Sequence, residues 1–493
     1  MIFKTAFCFI LLLHLVLASY EYEVPTPTLQ ALKPKGFRAY VPGDPRIKLI
    51  LFDGWILETS KNGSSKDETV AQLWGFGMKQ QNHDGWVFED HNVVFKFGQK
   101  IQYQVFISLG NPVIDMVNSK EASLELGGYA TPFRIFVIEK LEDPIEHGPH
   151  CPKTATKVRG AVVCAGQVIF EDNFDTFRED LWQIEHYIPI DHPEHPFVSY
   201  QRPAKFDTDP NVIVENGSLH IIPKLQEDLL KSKNASILSG KLDLNSGCTG
   251  NLCAMQAVGV NILPPVVSGR LTSARFAFTY GNVHIRAKLP RGDWIYPEIL
   301  LEPLAKKYGS LNYASGVLKV VLSRGNVVTN SRHHNIKEIS GGPIINAKCR
   351  SALEFYHKAI DEGFWSDDFH NFTLRWTPEH LGLDVDGINF GYYIPGATGL
   401  KSWLPASCRG TWYDLLKTGG PMAPFDDHFQ ITLGVAVGGI LEFPDGLTSN
   451  DKPKPWLNRG RKASLSFWQD RDNWYPTWTD PALVIDYVKV VAL

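Results

Sequence analysis

The sequence predicts an all-β protein built from β-sandwiches, and two observations support this. The first is that short β-forming segments alternate with turn residues from Tyr20 to about Phe136, without a convincing helical period. About seven or eight short strands over roughly 100 residues are typical of a β-sandwich. The clearest segments are Ile47 to Phe52, Trp86 to Glu89, Val93 to Phe97 and the strongly alternating Ile101 to Leu109.

The second observation is an alternating pattern that begins at residue 281. Apolar side chains occupy every second position there, and the positions between them are polar: Val283, Ile285, Ala287 and Leu289 against His284, Arg286 and Lys288. Successive side chains of a strand point to opposite faces, so this pattern predicts a strand with one buried face. With 493 residues the chain is long enough for two or three domains with full cores.

Composition excludes one class of partner. The chain is 44% apolar and 21% charged, as is usual for a globular protein, and its net charge is -4. A net charge this small, spread over this length, creates no basic field. We therefore expect no nucleic-acid partner.

The N-terminus has the pattern of a secretory signal peptide. Lys4 precedes a short apolar run from Ala6 to Ala18, which ends in the small residues Ala18 and Ser19. The run is shorter than the roughly 20 residues that a membrane-spanning helix needs, and no later segment qualifies. We assign residues 1–19 to the signal, with cleavage after Ala18 or Ser19, and expect a secreted protein without a membrane span.

Cysteine usage fits secretion. The chain has seven cysteines, and removal of Cys8 with the signal leaves an even number, which predicts three disulfides. Cys248 and Cys253 lie close enough in sequence to close a small loop. The other four allow three pairings that the sequence does not separate: Cys151, Cys164, Cys349 and Cys408. Since no Cys-x-x-Cys pair is present, we expect no zinc site, and nothing in the sequence indicates a cofactor.

Four Asn-x-Ser/Thr sequons also fit a secreted chain, and we predict them as glycosylation sites. They are Asn62, Asn216, Asn234 and Asn371. Asn62 and Asn234 lie in polar stretches, whereas Asn371 lies in a predicted strand.

A proline-punctuated, polar stretch divides the chain. Residues 139–162 lack periodicity and include His147-Gly148-Pro149-His150-Cys151-Pro152, so we interpret them as a linker. This places an N-terminal β-sandwich module at 20–138 and a second domain at 163–493.

One strand of the second domain has a catalytic shape without catalytic side chains. The run from Ser315 to Asn326 is rich in β-formers and bounded by glycines, so a buried strand is expected. Val317 and Lys319 share a face, and a one-residue bulge would add Leu322 to it.

The flanks of this strand resemble glycoside hydrolase family 16, and more narrowly the insect β-1,3-glucan recognition proteins, also called Gram-negative bacteria-binding proteins. The tail Ser323-Arg324-Gly325-Asn326 is similar to the end of that family's catalytic run. The similarity continues through Asp367 to Pro378 and covers nearly all of residues 163–493. It implies a concanavalin-like β-jelly-roll sandwich with a long groove.

The N-terminal module resembles the carbohydrate-binding module of the same recognition proteins. The similar phrases are short: Tyr22 to Pro27, Pro34 to Phe37, Asp84 to Phe88 and Phe97 to Ile101. The resemblance implies an immunoglobulin-like β-sandwich that binds β-1,3-glucan.

The resemblance also implies that hydrolysis has been lost. Family enzymes carry a nucleophilic Glu, a helper Asp and an acid/base Glu where this chain has Val317, Lys319 and Leu322. Retaining glycosidases need two carboxyl groups roughly 5 Å apart, and a hydrocarbon side chain can neither attack nor protonate. Carboxylates elsewhere, at Glu298 and Glu302 or at Asp384 and Asp386, do not fall at the family's catalytic positions.

Glycan contacts are predicted for five residues by the same resemblance: Trp74, Trp86 and Asp90 of the module, and Trp294 and Tyr296 of the groove. Trp74 lies beside glycines in a loop-like run, so an exposed ring is expected there. Four positions depart from the family's usual residues and reduce the expected contact surface: Phe76, Glu89, His91 and Leu300.

Together with these features, the resemblance implies a non-enzymatic pattern-recognition protein of invertebrate innate immunity, secreted into haemolymph. Its expected ligand is microbial β-1,3-glucan, with lipopolysaccharide and other bacterial envelope glycans as further candidates. Its expected protein partner is a serine protease of a cascade leading to Toll signalling or melanisation. Two alternatives stay open: an active β-1,3-glucanase, and a scaffold that has also lost glycan binding.

Overall fold

The fold is all-β, as the sequence predicts. A computed structural model describes residues 24–493 apart from 34, 45, 60–66, 77, 80–84, 91–92, 110–127, 143–150, 160, 205–206, 232–235, 274 and 355. The predicted signal peptide lies outside the described residues. Contacts divide the chain into two compact units, with one division after Pro144.

Both ends of the predicted linker take part in a unit. Glu142 accepts a hydrogen bond from the backbone of Lys33 in the first unit. Lys157–Val158 is a strand that pairs with Phe278–Thr279 of the second. Between these ends, residues 143–150 lie outside the described part of the chain.

The N-terminal unit is a sandwich of two antiparallel sheets. In spatial order, the four-stranded sheet consists of Thr28–Ala31, Phe37–Pro42, Gly85–Asp90 and Met78–Lys79. The five-stranded sheet consists of Asp67–Phe76, Leu49–Thr59, Lys100–Ser108 and Gly128–Ala130, with Arg134–Val137 also paired to Lys100–Ser108.

Aromatic rings fill the space between these two sheets. Phe52 of the five-stranded sheet stacks on Phe88 of the other, with ring centroids 5.0 Å apart, and lies 5.3 Å from Phe37. The alternation of Lys100–Ser108 buries Ile101, Tyr103, Val105 and Ile107 as the sequence predicts. One predicted strand is wrong: residues 93–97 form no strand, because Val93 and its neighbours connect two sheets through a turn at Phe97.

The second unit is a jelly-roll-like sandwich of a nine-stranded and an eight-stranded sheet. The nine-stranded sheet consists of Lys157–Val158, Phe278–Thr279, Phe429–Val437, Ile295–Pro303, Val317–Ser323, Glu338–Ile344 and His357–Ala359, with Gln183–Ile184 and Arg270–Thr272 beside this path. The eight-stranded sheet consists of Val212–Glu215, Ser218–Ile221, Leu483–Val491, Gly281–Lys288, His370–Trp376, Leu381–Val385 and Ile388–Tyr393, with Val168–Asp172 paired to Leu483–Val491.

Smaller sheets complete this unit. They are Val198–Tyr200 with Val266–Ser268 and Lys224–Leu225, Lys241–Asp243 with Ala254–Gln256, and Thr448–Ser449 with Lys452–Pro453. The α-helices are short: Gln226–Lys231, Thr411–Leu416, Ala463–Gln469 and Arg471–Trp474. In the described part of the chain, no helix has both the length and the apolar composition that a membrane crossing requires.

The core of the second unit lies between its two large sheets. Along Gly281–Lys288 buried and half-buried residues alternate strictly, and the predicted inward residues Val283, Ile285 and Ala287 are fully buried. Trp376 and Phe429 meet edge to face from opposite sheets, with ring centroids 5.3 Å apart. Each large sheet therefore contributes one apolar face to a shared interior.

The disulfide prediction is confirmed for Cys248 and Cys253, which clasp a loop of the second unit. The structure also resolves the pairing that the sequence leaves open, as Cys151 with Cys164 and Cys349 with Cys408.

Two of the four predicted glycosylation sites can be placed. Asn216 is exposed in the two-residue turn between Val212–Glu215 and Ser218–Ile221, where it and Gly217 have positive φ angles. Asn371 is exposed on His370–Trp376, and its Oδ1 accepts a hydrogen bond from Tyr487. Asn62 and Asn234 lie outside the described residues.

Candidate functional site

The strand that resembles a catalytic strand lies inside the nine-stranded sheet, and all of Val317–Ser323 is buried. Its pairing with Glu338–Ile344 shifts register between Lys319 and Leu322, which is the predicted bulge. Val317, Lys319 and Leu322 pair with residues 344, 342 and 340 respectively. Because those partners are each two residues apart, the three positions share one face, as the sequence predicts.

Lys319 lies between two buried carboxylates from distant parts of the chain. Its Nζ is 3.3 Å from Glu194 Oε1 and 3.4 Å from Glu442 Oε2. The hydroxyl of Tyr296 donates to the other oxygen of Glu194 at 3.3 Å. The amine of Lys319, which the resemblance aligns with the helper Asp, is therefore bound by carboxylates.

Two arginines extend this arrangement. Arg350 Nη1 lies 2.8 Å from Glu442 Oε2 and 3.4 Å from Glu194 Oε1. Arg324 Nη2 lies 2.6 Å from Glu442 Oε1, and both arginines contact Glu354 at 3.1 Å. We name these six residues the ion cluster: Glu194, Lys319, Arg324, Arg350, Glu354 and Glu442.

The carboxylates of the ion cluster are held in the ionised form. Burial favours the protonated form of each, but the neighbouring cations outweigh it and lower the pKa of Glu194, Glu354 and Glu442. The pKa of Glu354 falls to about 2, and that of Glu442 lies well below its ordinary value. A general acid must carry a proton near neutral pH, so these groups are poorly suited to protonate a glycosidic oxygen.

Val317 faces different surroundings, since it lines a cavity of about 370 Å³. Glu185, Arg270 and Glu302 are among the polar residues that line the same cavity. Arg270 Nη2 lies 2.6 Å from Glu302 Oε2, and its Nε lies 3.4 Å from Glu298 Oε2. The predicted alternative pair Glu298 and Glu302 therefore shares one arginine.

The environments of Glu185 and Glu302 shift their pKa values in opposite directions. Burial raises the pKa of Glu185, whose carboxyl accepts hydrogen bonds from Thr272 at 2.9 Å and Thr249 at 3.0 Å. Burial also opposes ionisation of Glu302, but the ion pair with Arg270 outweighs it and lowers the pKa of Glu302. The second predicted pair, Asp384 and Asp386, belongs to the eight-stranded sheet and its following turn, bound by Arg375 and His370 respectively.

The predicted groove contacts of Trp294 and Tyr296 need correction. Trp294 is 2% exposed and packs edge to face on Phe443 and Trp456, with centroids 5.3 and 5.2 Å away. Tyr296 is 1% exposed. Rings this deeply buried cannot lie on a sugar ring, so both act in packing. Leu300 is also buried, so this altered position adds no exposed contact surface.

The predicted contacts of the N-terminal module also change. Trp86 is 9% exposed and belongs to the core, so its predicted glycan contact is corrected to packing. Glu89 is buried in an ion pair with Arg38. Asp90 Oδ1 accepts the backbone N–H of Val93 at 3.2 Å. Trp74 lies on the Asp67–Phe76 strand, paired with Asp53, and not in a loop.

A different surface of this module was missed by the sequence reasoning. On the five-stranded sheet, Trp55 pairs with Gln72 on one side and Gln102 on the other, and Gln102 pairs with Ile135. The Trp55 ring lies 5.8 Å from the ring of Phe133. Phe133, Ile135 and Val137 are 54%, 62% and 43% exposed. We name this surface the outer face: Asp53, Trp55, Gln72, Gln102, Gln104, Phe133, Ile135 and Val137.

Polar groups border these apolar side chains. Gln72 Nε2 donates to Asp53 Oδ1 at 3.1 Å, and Gln104 Nε2 lies 3.5 Å from Asp53 Oδ2. An exposed apolar surface bordered by amides and a carboxylate is unusual for a solvated sheet face and is typical of a binding surface. The sequence does contain a signal for this surface, because Trp55, Ile135 and Val137 occupy the outward positions of strands whose side chains alternate between the two faces.

Comparison with known proteins assigns the chain to a family. The profile of a carbohydrate binding domain (family 32), designated CBM39, matches residues 23–120. Over 502 residues the chain is 46% identical to the beta-1,3-glucan-binding protein of Hyphantria cunea, covering 99% of each chain. The chain belongs to the β-1,3-glucan-binding protein family. Other relatives of this family member include beta-1,3-glucan-binding protein 1 of Galleria mellonella, at 34% identity over 96% of each chain.

The family also includes Gram-negative bacteria-binding protein 1 of Drosophila melanogaster, which is 31% identical to this family member over 96% of each chain. Among solved structures, the catalytic domain of an endo-1,3-beta-glucanase (laminarinase) from Thermotoga petrophila matches at 18% identity with a TM-score of 0.41. The match covers 66% of this chain and 97% of that one.

The opposite pKa shifts beside the cavity of this family member give a stability prediction. Replacement Glu185→Gln removes a carboxylate whose ionisation is disfavoured by burial, so at pH 7 we expect a free energy of unfolding equal to or above that of the wild type. Glu302→Gln removes the closer of the two carboxylates that contact the buried Arg270 and leaves Glu298 at 3.4 Å. We expect the free energy of unfolding to fall by about 2–3 kcal/mol. Urea unfolding at pH 7 checks both. Equal losses in the two variants would contradict the assigned charge states.

Proposed function

We propose that this family member is a secreted, non-enzymatic recognition protein that binds microbial β-1,3-glucan. Its relatives named as β-1,3-glucan-binding proteins match it over nearly the whole chain, and one of them is 46% identical. The observation that carries the non-enzymatic part is the ion cluster. Lys319, held by Glu194 and Glu442, stands where the resembled enzymes need an acidic side chain.

Glycan binding is assigned to the outer face of the N-terminal module. Neutral polysaccharides are held by stacking the apolar faces of sugar rings on aromatic side chains, while amides and carboxylates bind the hydroxyl groups. Trp55 and Phe133 supply two neighbouring rings, and Asp53 with its glutamine partners supplies the polar groups. The face lies on a paired sheet, which holds these groups in place without a rearrangement on binding.

The outer face predicts the effect of a single substitution. In a pull-down on insoluble curdlan, we expect Trp55→Ala to weaken binding about tenfold, since a loss of roughly 1.4 kcal/mol of stacking and apolar contact corresponds to that factor. Phe97→Ala is the matched control, because Phe97 is 70% exposed in the same unit but lies in a turn and is not part of the outer face. If Trp55→Ala and Phe97→Ala bind curdlan equally well, the glucan does not bind at the outer face.

The same preparation separates the proposal from its two alternatives. Incubated with laminarin, the wild type should release no reducing ends above a blank, because no carboxyl group occupies position 317 or 322. Turnover above the blank would identify an active glucanase. If the wild type is not retained on curdlan, lipopolysaccharide or peptidoglycan, the scaffold role is favoured.

We further propose that the glucan-bound protein engages a serine protease of an immune cascade in haemolymph. The second unit supports this role because it keeps a full sandwich core without the acids that hydrolysis requires, which leaves its surface available for a protein partner. Curdlan loaded with this protein should retain a protease zymogen from insect haemolymph. Retention equal to that of bare curdlan would reject the partner.

A further inference from the structure

Three ligand-type side chains, none of them part of the ion cluster or of the cavity lining, converge at the end of the nine-stranded sheet. His333 Nδ1 lies 2.5 Å and His357 Nδ1 lies 2.8 Å from the same oxygen, Oε1 of Glu338. The two imidazole rings have their centroids 4.6 Å apart. One ligand atom from each residue lies within 4.8 Å of the others.

The fold explains why these residues meet. Ser340 pairs with His357 and Glu338 pairs with Ala359, so Glu338 and His357 are diagonal neighbours on one face of the sheet. His333 arrives from the loop before Glu338–Ile344, and its carbonyl accepts a hydrogen bond from Arg324 Nη1 at 3.1 Å. Two of the three side chains are thus fixed by strand pairing, and the third is anchored through its backbone.

One of these nitrogen atoms lacks a normal partner. His357 Nδ1 is buried and, among the described residues, makes no hydrogen bond of good geometry, although a carboxylate oxygen lies close to it. A buried polar atom without a hydrogen bond costs about 1–3 kcal/mol and calls for an explanation. An ion at the point where the two nitrogens and Oε1 meet would supply the missing partner.

We propose that His333, Glu338 and His357 form a binding site for a divalent transition-metal ion, with Zn²⁺ as the best match. Two imidazoles and one carboxylate suit zinc better than calcium or magnesium, which prefer oxygen ligands alone. Tetrahedral zinc at its usual bond lengths places ligand atoms about 3.4 Å apart. Each histidine nitrogen then needs to move away from Glu338 Oε1 by less than about 1 Å, which small side-chain rotations achieve.

The fourth coordination position would be filled by water. The His333 side chain is 39% exposed, so the site opens to solvent, whereas the Glu338 side chain is 9% exposed. Sequence patterning missed this set because the three residues follow no known ligand spacing and come from a loop and two strands. The expectation of no metal considered only the cysteines, and the six that the structure describes are all in disulfides.

One neighbouring charge opposes the metal and gives the proposal a second test. Arg332 Nε donates to His333 Nε2 at 3.0 Å, so in this state the His333 proton lies on Nδ1. Metal binding through Nδ1 moves that proton to Nε2, and the exposed Arg332 side chain must then turn away. Removal of Arg332 should therefore strengthen metal binding by removing both a competing hydrogen bond and a repulsive charge.

The test is a zinc titration of the full-length, tag-free protein after treatment with EDTA, using competition with a chromogenic chelator. We expect one Zn²⁺ per chain, with binding weakened roughly tenfold or more in His357→Gln and in Glu338→Gln. Arg332→Ala is expected to bind zinc more tightly than the wild type. Circular dichroism spectra and thermal unfolding without metal verify that each variant is folded.

The matched control is His370→Gln. His370 Nδ1 contacts Asp386 at 2.7 Å, and no third ligand lies near this histidine–carboxylate pair within the described part of the chain. The control variant should bind zinc as the wild type does. Absence of stoichiometric binding, or binding that His357→Gln and Arg332→Ala both leave unchanged, would overturn the proposal and leave a hydrogen-bonded cluster only.

Discussion

Replacement of Glu442 by alanine is expected to lower the free energy of unfolding by about 3–5 kcal/mol, the largest effect of any substitution considered for this protein. Glu442 is 1% exposed and contacts all three cations of the ion cluster, Lys319, Arg324 and Arg350. Its removal leaves buried positive charge without compensation, which costs more than the ion pairs themselves contribute. Chemical unfolding in urea at pH 7 measures the loss.

The control is an ion pair that water reaches. Asp486→Ala breaks the pair with Arg286, whose side chains are 34% and 37% exposed. Solvent screens such a pair, and a loss of less than about 1 kcal/mol is expected. Similar losses in Glu442→Ala and Asp486→Ala would show that burial of the ion cluster has little energetic consequence.

A charge-balanced double variant separates loss of charge compensation from loss of packing. In Glu442→Met combined with Arg350→Met, Lys319 keeps Glu194 and Arg324 keeps Glu354. Because one charge of each sign has gone, part of the stability lost in Glu442→Met alone should return. A double variant that is less stable than both single variants would contradict this explanation.

The ion cluster also bears on any attempt to introduce hydrolysis at this strand. Restoration of Glu at positions 317 and 322 would supply the missing carboxyl groups but would leave Lys319, Arg324 and Arg350 in place. The proposed absence of catalysis therefore concerns Lys319 as well as positions 317 and 322, because Lys319 is bound within the ion cluster.

Much of the fold could be predicted because its signals are local. The strict alternation in Gly281–Lys288, the Asn216-Gly217 turn and the Cys248–Cys253 loop each depend on residues close in sequence. The bulge at Lys319 was predictable because the resembled catalytic run requires it. The strand predicted at residues 93–97 was wrong because a short apolar run does not distinguish a strand from a buried connection.

The candidate sites were less predictable because they depend on contacts between distant segments. Glu194 and Glu442 reach Lys319 from 125 and 123 residues away, and no spacing rule connects them. Trp294 was assigned to the groove from the family resemblance, yet its ring is buried against Phe443. Trp55 and Phe133 likewise come together only because their two segments both pair with the strand Lys100–Ser108.

Acidification is expected to destabilise the protein through the same cluster. The pKa of Glu354 is lowered to about 2 in the folded state, against an ordinary value near 4.5. A carboxyl group with a depressed folded pKa contributes stability above its unfolded pKa, and that contribution is lost as the pH falls through the folded value. The window is therefore about pH 4.5 to 2, and the contribution at neutral pH is about 3 kcal/mol.

Comparison with Glu354→Gln isolates this contribution from the other carboxyl groups. The difference in unfolding free energy between wild type and Glu354→Gln should be largest at pH 7 and should shrink by about 3 kcal/mol as the pH approaches 2. Asp414→Asn is the control, because its pair with Lys417 is exposed and should show no such convergence. A difference that stays constant from pH 7 to 2 would mean that Glu354 does not titrate within the ion cluster. The contacts with Arg324 and Arg350 would then not set its charge.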